Sequence, residues 1–179
     1  MKLHIGCGEK FLPGYKHLDA REFPHVDYVT DDLSNLEMFN DDSIDEIYAC
    51  HILEHFTREE IKKGAILKEW NRILKKDGIL RLAVPNFEAI VEEYLSSKNL
   101  ELIMGLLYGG QDYQYNFHFQ TYDFKRISNI LKCAGFSHVT TYDWKEFLPE
   151  DYDDFSRAYI PHMDFDNGRL MSLNIIAIK

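Results

Sequence analysis

Residues 44–84 constrain the fold of this chain more than any other stretch. Ile44 to Ala49 reads as a buried strand, and Ile79-Leu80-Arg81-Leu82-Ala83-Val84 reads as another. The second is stopped by Pro85, which lacks the N–H that a central ladder needs. Between them, Thr57-Arg58-Glu59-Glu60 has capping-box spacing, so Thr57 and Glu60 can satisfy each other's backbone donors at a helix start. Ile61, Ala65, Ile66, Trp70, Ile73 and Leu74 then recur at helical spacing, and Lys75-Lys76 before Gly78 suits a helix C-terminus. Strand, helix and strand in this order predict a right-handed crossover between parallel strands, and with it an α/β fold.

The N-terminus begins with the same economy. Lys2-Leu3-His4-Ile5 can form a short strand, and Gly6-Cys7-Gly8 follows it as a turn whose glycines let bare backbone N–H groups approach a ligand. Tyr15 to Asp19 reads as a second strand with a carboxylate at its carboxyl end, where both hydroxyls of a ribose can be accepted. A dinucleotide fingerprint would require a third glycine at position 11, and Phe11 stands there. The connection from Gly8 to the second strand is also too short for a full crossover helix.

Val26 to Thr30 reads as a third strand delivering Asp31 and Asp32 into a loop. Beyond Pro85, Phe87 to Ser97 and Leu100 to Leu107 look helical, and Tyr108 to Gln120 looks irregular, with Gly109-Gly110 and several aromatic residues. Thr121 to Ala134 is amphipathic and ends at Gly135. His138 to Trp144 and Leu170 to Ile178 supply two late strands with no comparable helix between them, which suggests an antiparallel closing pair. The acidic segment Glu146 to Asp154 reads as a solvated loop.

At 179 residues the chain is expected to be one domain, 1–179. A net charge of -10 opposes binding to a phosphate backbone, so no nucleic-acid partner is expected. Neither a bilayer-spanning run nor a signal-peptide pattern is apparent, which places the expected location in the cytoplasm without membrane insertion. Cys7, Cys50 and Cys133 are widely spaced and odd in number, indicating reduced thiols and no metal-binding cysteine pair.

These motifs together resemble the class I S-adenosylmethionine-dependent methyltransferases, in particular their compact type-11-like subgroup. Leu3 to Gly8, Asp19, Asp31-Asp32-Leu33, Asp45-Glu46-Ile47 leading to Leu53-Glu54-His55, Glu69 to Gly78 with its Arg72-Ile73-Leu74-Lys75-Lys76-Asp77-Gly78, and Ala134-Gly135-Phe136 carry the likeness. The resemblance implies a Rossmann-like fold: a mostly parallel seven-stranded sheet, an antiparallel C-terminal hairpin and helices on both faces. It implies S-adenosylmethionine as cofactor, with Gly6, Cys7 and Gly8 under its methionyl and ribose portion. Asp19 would meet the ribose hydroxyls, Asp32 and Leu33 the adenine, and Cys50 and His51 the methionine end. Members of this subgroup with a proline-glycine-aromatic turn like Pro13-Gly14-Tyr15 often lie among genes for surface polysaccharides, so the resemblance implies polysaccharide biosynthesis.

Methyl transfer needs alignment above all, and for a hydroxyl acceptor a general base helps. His118, in the polar, glycine-bearing segment after the fifth strand, is the first candidate, with His55 behind it. Tyr113, Tyr115, Phe117, Phe119 and Tyr122 could form a platform for a small-molecule or saccharide acceptor or pack as an ordinary lid. Two alternatives stay open. One is a non-catalytic S-adenosylmethionine-binding module. The other is a zinc hydrolase, because His51-Ile52-Leu53-Glu54-His55 matches the H-x-x-E-H pattern in which two histidines on one helical face hold zinc. The main reading assigns no metal ligand.

Overall fold

The strand Lys2–Ile5 (β1) lies inside a sheet that the computed structural model, describing residues 1–179, builds from seven strands. It pairs in parallel with Lys16–Asp19 (β2) on one side and with Ile44–Cys50 (β4) on the other. Tyr28–Val29 (β3) extends the β2 edge, and Leu74–Pro85 (β5) runs parallel to β4. Ser172–Ile178 (β9) is antiparallel to both β5 and Ser137–Thr141 (β6), which completes the order β3-β2-β1-β4-β5-β9-β6. A separate two-residue pair joins Tyr159–Ile160 (β7) to Arg169–Leu170 (β8).

Side chains alternate across the sheet, as the pleat requires. Leu3, Ile5, Ile47, Ala49, Leu80, Leu82, Ile175 and Ala177 enter one large core with Ile61 of Arg58–Lys63 (α1), Trp70 and Ile73 of Ala65–Ile73 (α2), and Ile127 and Leu131 of Phe124–Cys133 (α5). His4 and Tyr48, one residue out of phase, stack together elsewhere, and Tyr48 packs with Leu12, Trp144, Leu148 and Tyr152. Phe87–Ser97 (α3) and Glu101–Tyr108 (α4) pack through Ala89, Ile90 and Ile103 against Met171.

The capping box forms as expected: Thr57 Oγ1 accepts from the Glu60 amide, and Glu60 Oε2 accepts from the Thr57 amide at 2.7 Å. Beyond it the predicted single helix is two. Gly64, at φ +68°, separates α1 from α2, and the second helix stops at Ile73. Leu74 then pairs with Ile44 in the sheet, so Lys75 and Lys76 belong to a strand and not to a helix end. Burial of Ile44 and Leu74 together, reinforced by Lys75 Nζ reaching Asp45 at 2.7 Å, outweighs the local helix signal.

The missing first crossover helix is real. Residues between Gly8 and β2 form a loop tied down by the Leu12 amide donating to His17 Nε2 at 2.9 Å. Leu12 is buried against Tyr48 and Trp144, so this loop and the chain around Trp144 and Leu148 cover that face together. The expectation of a solvated loop from Glu146 to Asp154 is therefore incorrect, since Leu148 and Tyr152 are needed to close the second core. No helix is long and apolar enough to cross a membrane.

Candidate active site

The segments leaving the carboxyl ends of β1 to β5 converge on one cleft of about 930 Å³, a volume suited to a cofactor with an acceptor beside it. Gly6, Cys7, Gly8, Asp19, Leu33, Cys50, His51, His55 and His118 all line it. Sequence positions expected at two different ends of a cofactor and at the acceptor thus share one wall system.

At the first end, the Gly6 amide donates to Leu18 O at 2.7 Å, which locks the turn onto β2. Asp19, 7% exposed, takes the Gly8 amide on Oδ2 at 2.7 Å and the Arg21 amide on Oδ1 at 2.9 Å. A carboxylate offers roughly four lone-pair directions, so two remain for ligand hydroxyls. The two glycines are not equivalent. A Cβ at Gly6 would lie 1.9 Å from Ile52 Cδ1, whereas one at Gly8 would meet only Arg21 Nη2 at 3.5 Å. Gly6 makes room for Ile52; Gly8 leaves space open to the cleft and is needed for its φ of +54°.

Cys7 is buried beside the turn, and burial, followed by the charge of Asp19, pushes its thiol up to about 12. Its thiol is therefore held protonated as it packs beside the turn. Cys50 is likewise held far above the ordinary thiol range, by burial first and by Asp154 second. Asp32 lies outside the main cleft, where Asp31 and Leu33 stand instead. Its Oδ1 accepts from the Ser34 amide at 3.0 Å and from Ser34 Oγ at 2.6 Å, closing a local turn.

At the other end, Leu53–His55 forms one turn of 3₁₀ helix that buries Glu54 completely. The turn is fixed to the irregular segment: Phe119 N donates to Glu54 O at 2.7 Å, and Tyr122 Oη donates to Leu53 O at 3.1 Å. His55 Nδ1 lies 3.1 Å from Phe117 O, and His118 Nδ1 lies 2.9 Å from Leu106 O. Because a carbonyl only accepts, each Nδ1 carries the proton and each Nε2 keeps a lone pair in the neutral ring. Burial pushes His118 below the ordinary imidazole value and thereby favours that neutral form, against the opposing pull of Glu54. The two rings meet edge to face with centroids 4.8 Å apart.

The zincin arrangement is not made. His51 sits in a turn at φ +53° and no α-helix carries the motif; its Nε2 lies 3.3 Å from Ser172 Oγ, away from the His55–His118 pair. Its Nδ1 stands 3.2 Å from Glu54 Oε1. Burial opposes ionisation of Glu54, but His51, His55 and His118 together hold its carboxyl below the ordinary value.

Several lining residues escaped the sequence reading. Arg21 places its guanidinium 4.7 Å from the ring centroid of Tyr113, bridging the β2 loop to the irregular segment. Asp154 accepts from Tyr48 Oη at 2.5 Å and from Ser156, and with Phe155 it lines the cleft from the far side. Only a Ser two residues after each aspartate, as in Asp154-Phe155-Ser156, hinted at such turns.

Residues 4–82 match the model of the methyltransferase-domain family. No curated protein matches the sequence. Among solved structures, the chain is similar to an S-adenosylmethionine-dependent methyltransferase from Archaeoglobus fulgidus, at 15% identity over 99% of this chain and 85% of that one, with a TM-score of 0.58. A possible histamine N-methyltransferase from Thermotoga maritima gives 19% identity, 99% and 81% coverage and a TM-score of 0.57. The 1,6-didemethyltoxoflavin-N1-methyltransferase of Burkholderia thailandensis, bound to 1,6-didemethyltoxoflavin and S-adenosylhomocysteine, gives 16%, 99%, 70% and 0.59. At such identities the likeness carries the fold, while the family model covers β1 to β5 up to Leu82 and so includes the glycine turn, Asp19 and the Leu53–His55 turn. The methyltransferase-domain model thus matches somewhat under half of the chain, and the sheet order over the whole length is the fold of S-adenosylmethionine-dependent methyltransferase structures.

Proposed function

We propose that this protein is a class I S-adenosylmethionine-dependent methyltransferase that methylates a hydroxyl oxygen on a small-molecule or saccharide acceptor, with residues 1–179 acting as one methyltransferase domain. The observation that carries this reading is the pair His55 and His118, each with Nδ1 engaged to a backbone carbonyl, on the wall of the cleft that also holds the glycine turn. A neutral imidazole with a free Nε2 is what an acceptor oxygen needs nearby as its proton departs. S-adenosylmethionine supplies the electrophilic methyl carbon on its sulfonium.

The chain's own residues then supply alignment. Gly6, Cys7 and Gly8 underlie the methionyl and ribose portion, and Asp19 offers its two remaining lone pairs to the ribose hydroxyls. Leu33 flanks the adenine; Asp31, which lines the cleft, takes the polar role assigned from sequence to Asp32. Cys50 and His51 border the methionine end. Tyr113, Tyr115 and Phe117 line the acceptor side and give apolar CH surfaces, including those of a sugar ring, faces to pack on. Such an enzyme suits the polysaccharide biosynthesis of the cytoplasm, where its unpaired thiols stay reduced.

The test is transfer of an isotopically labelled methyl group into a panel of hydroxylated small molecules and saccharides. Label on oxygen is expected. His118→Ala should lower kcat by about 10²-fold or more, with the affinity for S-adenosylhomocysteine unchanged. Transfer to nitrogen or carbon alone, or full turnover by His118→Ala, would overturn the assignment.

A further inference from the structure

Glu54 stands out among the buried polar groups of the molecule. It is 0% exposed, and neither carboxylate oxygen has a hydrogen-bond partner; His51 Nδ1, at 3.2 Å from Oε1, approaches only at ion-pair distance. A carboxylate withdrawn from water without donors is costly unless a charge meets it. His55 and His118 supply the rest of a ligand set, since one ligand atom from each of Glu54, His55 and His118 lies within 4.8 Å of the others.

We infer that Glu54, His55 and His118 form a binding site for a divalent first-row transition cation. Three features beyond proximity support it. Metal-binding histidines characteristically donate their second ring N–H to a carbonyl or carboxylate, which fixes the ring and turns the other nitrogen to the ion. Both histidines here do so, to Phe117 O and Leu106 O. The site is also preorganised: the Phe119-to-Glu54 backbone bond and the Tyr122-to-Leu53 bond hold the two contributing segments in register before any ion arrives. Finally, two imidazoles and one carboxylate suit zinc, manganese, iron or cobalt better than calcium or magnesium, whose shells are built from oxygen.

Three protein ligands leave coordination positions free, the pattern of a site that also takes water or substrate. His55 and His118 line the cleft while Glu54 lies behind them, so the ion would sit in the cleft wall on the acceptor side. An acceptor bearing adjacent oxygens, such as a sugar diol, could then complete the shell. This last step rests on the oxygen-acceptor reading proposed above; binding of the ion does not. In that step the bound ion, in place of the Nε2 lone pairs it occupies, lowers the acceptor's hold on its proton. The site differs from the H-x-x-E-H reading in its members, because His118 takes the place that motif would give to His51.

The experiment uses the full chain stripped with a chelator and titrated separately with Zn²⁺, Mn²⁺ and Co²⁺, followed by calorimetry and, for cobalt, by visible absorption. One ion per chain is expected, with a cobalt spectrum indicating nitrogen ligation. Glu54→Gln and His118→Ala should each weaken binding at least about tenfold. Should either variant misfold by circular dichroism, His118→Gln serves in its place. Absence of stoichiometric binding, or unchanged binding in a folded His55→Ala/His118→Ala variant, would overturn the inference. S-adenosylhomocysteine titrated into the same stripped protein separates the two failures. Cofactor binding without metal binding sinks only the ion site, whereas loss of both indicts the cofactor cleft itself.

Discussion

Two buried carboxylates, Asp19 on the cleft wall and Glu54 behind it, solve the problem of burial in opposite ways. Asp19, at the end of β2, receives two backbone amides, from Gly8 and Arg21, and so serves as a strut for the turn that carries Gly8. Glu54, in the single 3₁₀ turn after β4, receives none and is surrounded by imidazoles. Local chain geometry satisfies the first, because its donors stand two and eleven residues away. The second has only imidazoles beside it, His51 and His55 from its own stretch of chain and His118 from the irregular segment. On the proposed reading, the cofactor end is tied down as folded, and the acceptor end is built around an acid with imidazoles beside it and no hydrogen-bond donor on either oxygen.

The largest effect that tests this contrast is on cofactor affinity. On the proposed reading, Asp19→Ala removes bonds to two ribose hydroxyls, each about 1.5–3 kcal/mol for a charged acceptor; it also releases the Gly8 amide. Affinity for S-adenosylhomocysteine should fall by about 10²-fold or more, measured by calorimetry. Glu54→Ala should change it by no more than about threefold, since distant sites behave independently within a few tenths of a kcal/mol. Equal losses in the two variants would break the division of the cleft into two ends.

The division also explains what the sequence could and could not reveal. Strands β1, β2, β4 and β5, the capping box at Thr57 and the helix from Phe124 follow from patterns spanning a few residues, and so does the placement of Asp19 after a strand. Lys75 and Lys76 misled because a sheet partner, Ile44 to Leu74, decided where the helix stops. Asp32 stands outside the cleft that Asp31 lines, and its carboxylate is engaged by Ser34. His118 and His55 were each identifiable as candidates, but their meeting over Glu54 was not: His55 and the Phe117 carbonyl that orients it stand 62 residues apart, across an irregular segment. Interactions closed by tertiary packing leave no local signature to read.

A third buried titratable group sharpens the contrast, because it adopts neither solution. His4 on β1 has no partner for Nδ1 and stays neutral: burial, then the charges of His17 and His25, lower its pKa from 6.5 to about 3. The unfolded chain binds a proton at this residue below pH 6.5 while the folded chain does not. The stability it contributes is thus present above pH 6.5 and is lost as pH falls towards 3. Over pH 6 to 4 the unfolding free energy should drop by about 1.4 kcal/mol per pH unit from this group. His4→Phe, which keeps the ring packing against Tyr48, should lack that component in urea titrations run across the same range. Parallel acid limbs in the two proteins would show that His4 is not held neutral by its surroundings.

The smallest effect concerns the physical link between the two ends. Ile52 precedes the Glu54 turn, yet its side chain occupies the space beside Gly6, so the cofactor turn and the acceptor turn share one packing contact. Gly8 has no such neighbour. Both glycines have positive φ, so alanine at either costs about 1–2 kcal/mol for the left-handed backbone. Gly6→Ala adds a further cost of about 1–3 kcal/mol for displacing Ile52. In urea unfolding, Gly6→Ala should therefore be the more destabilising of the two. A double-mutant cycle with Ile52→Ala should show coupling of at least about 1 kcal/mol for Gly6→Ala and none for Gly8→Ala. Additive behaviour at both positions would mean that the two ends are joined only through the sheet, and that the lost Cβ at Gly6 serves the ligand and not Ile52.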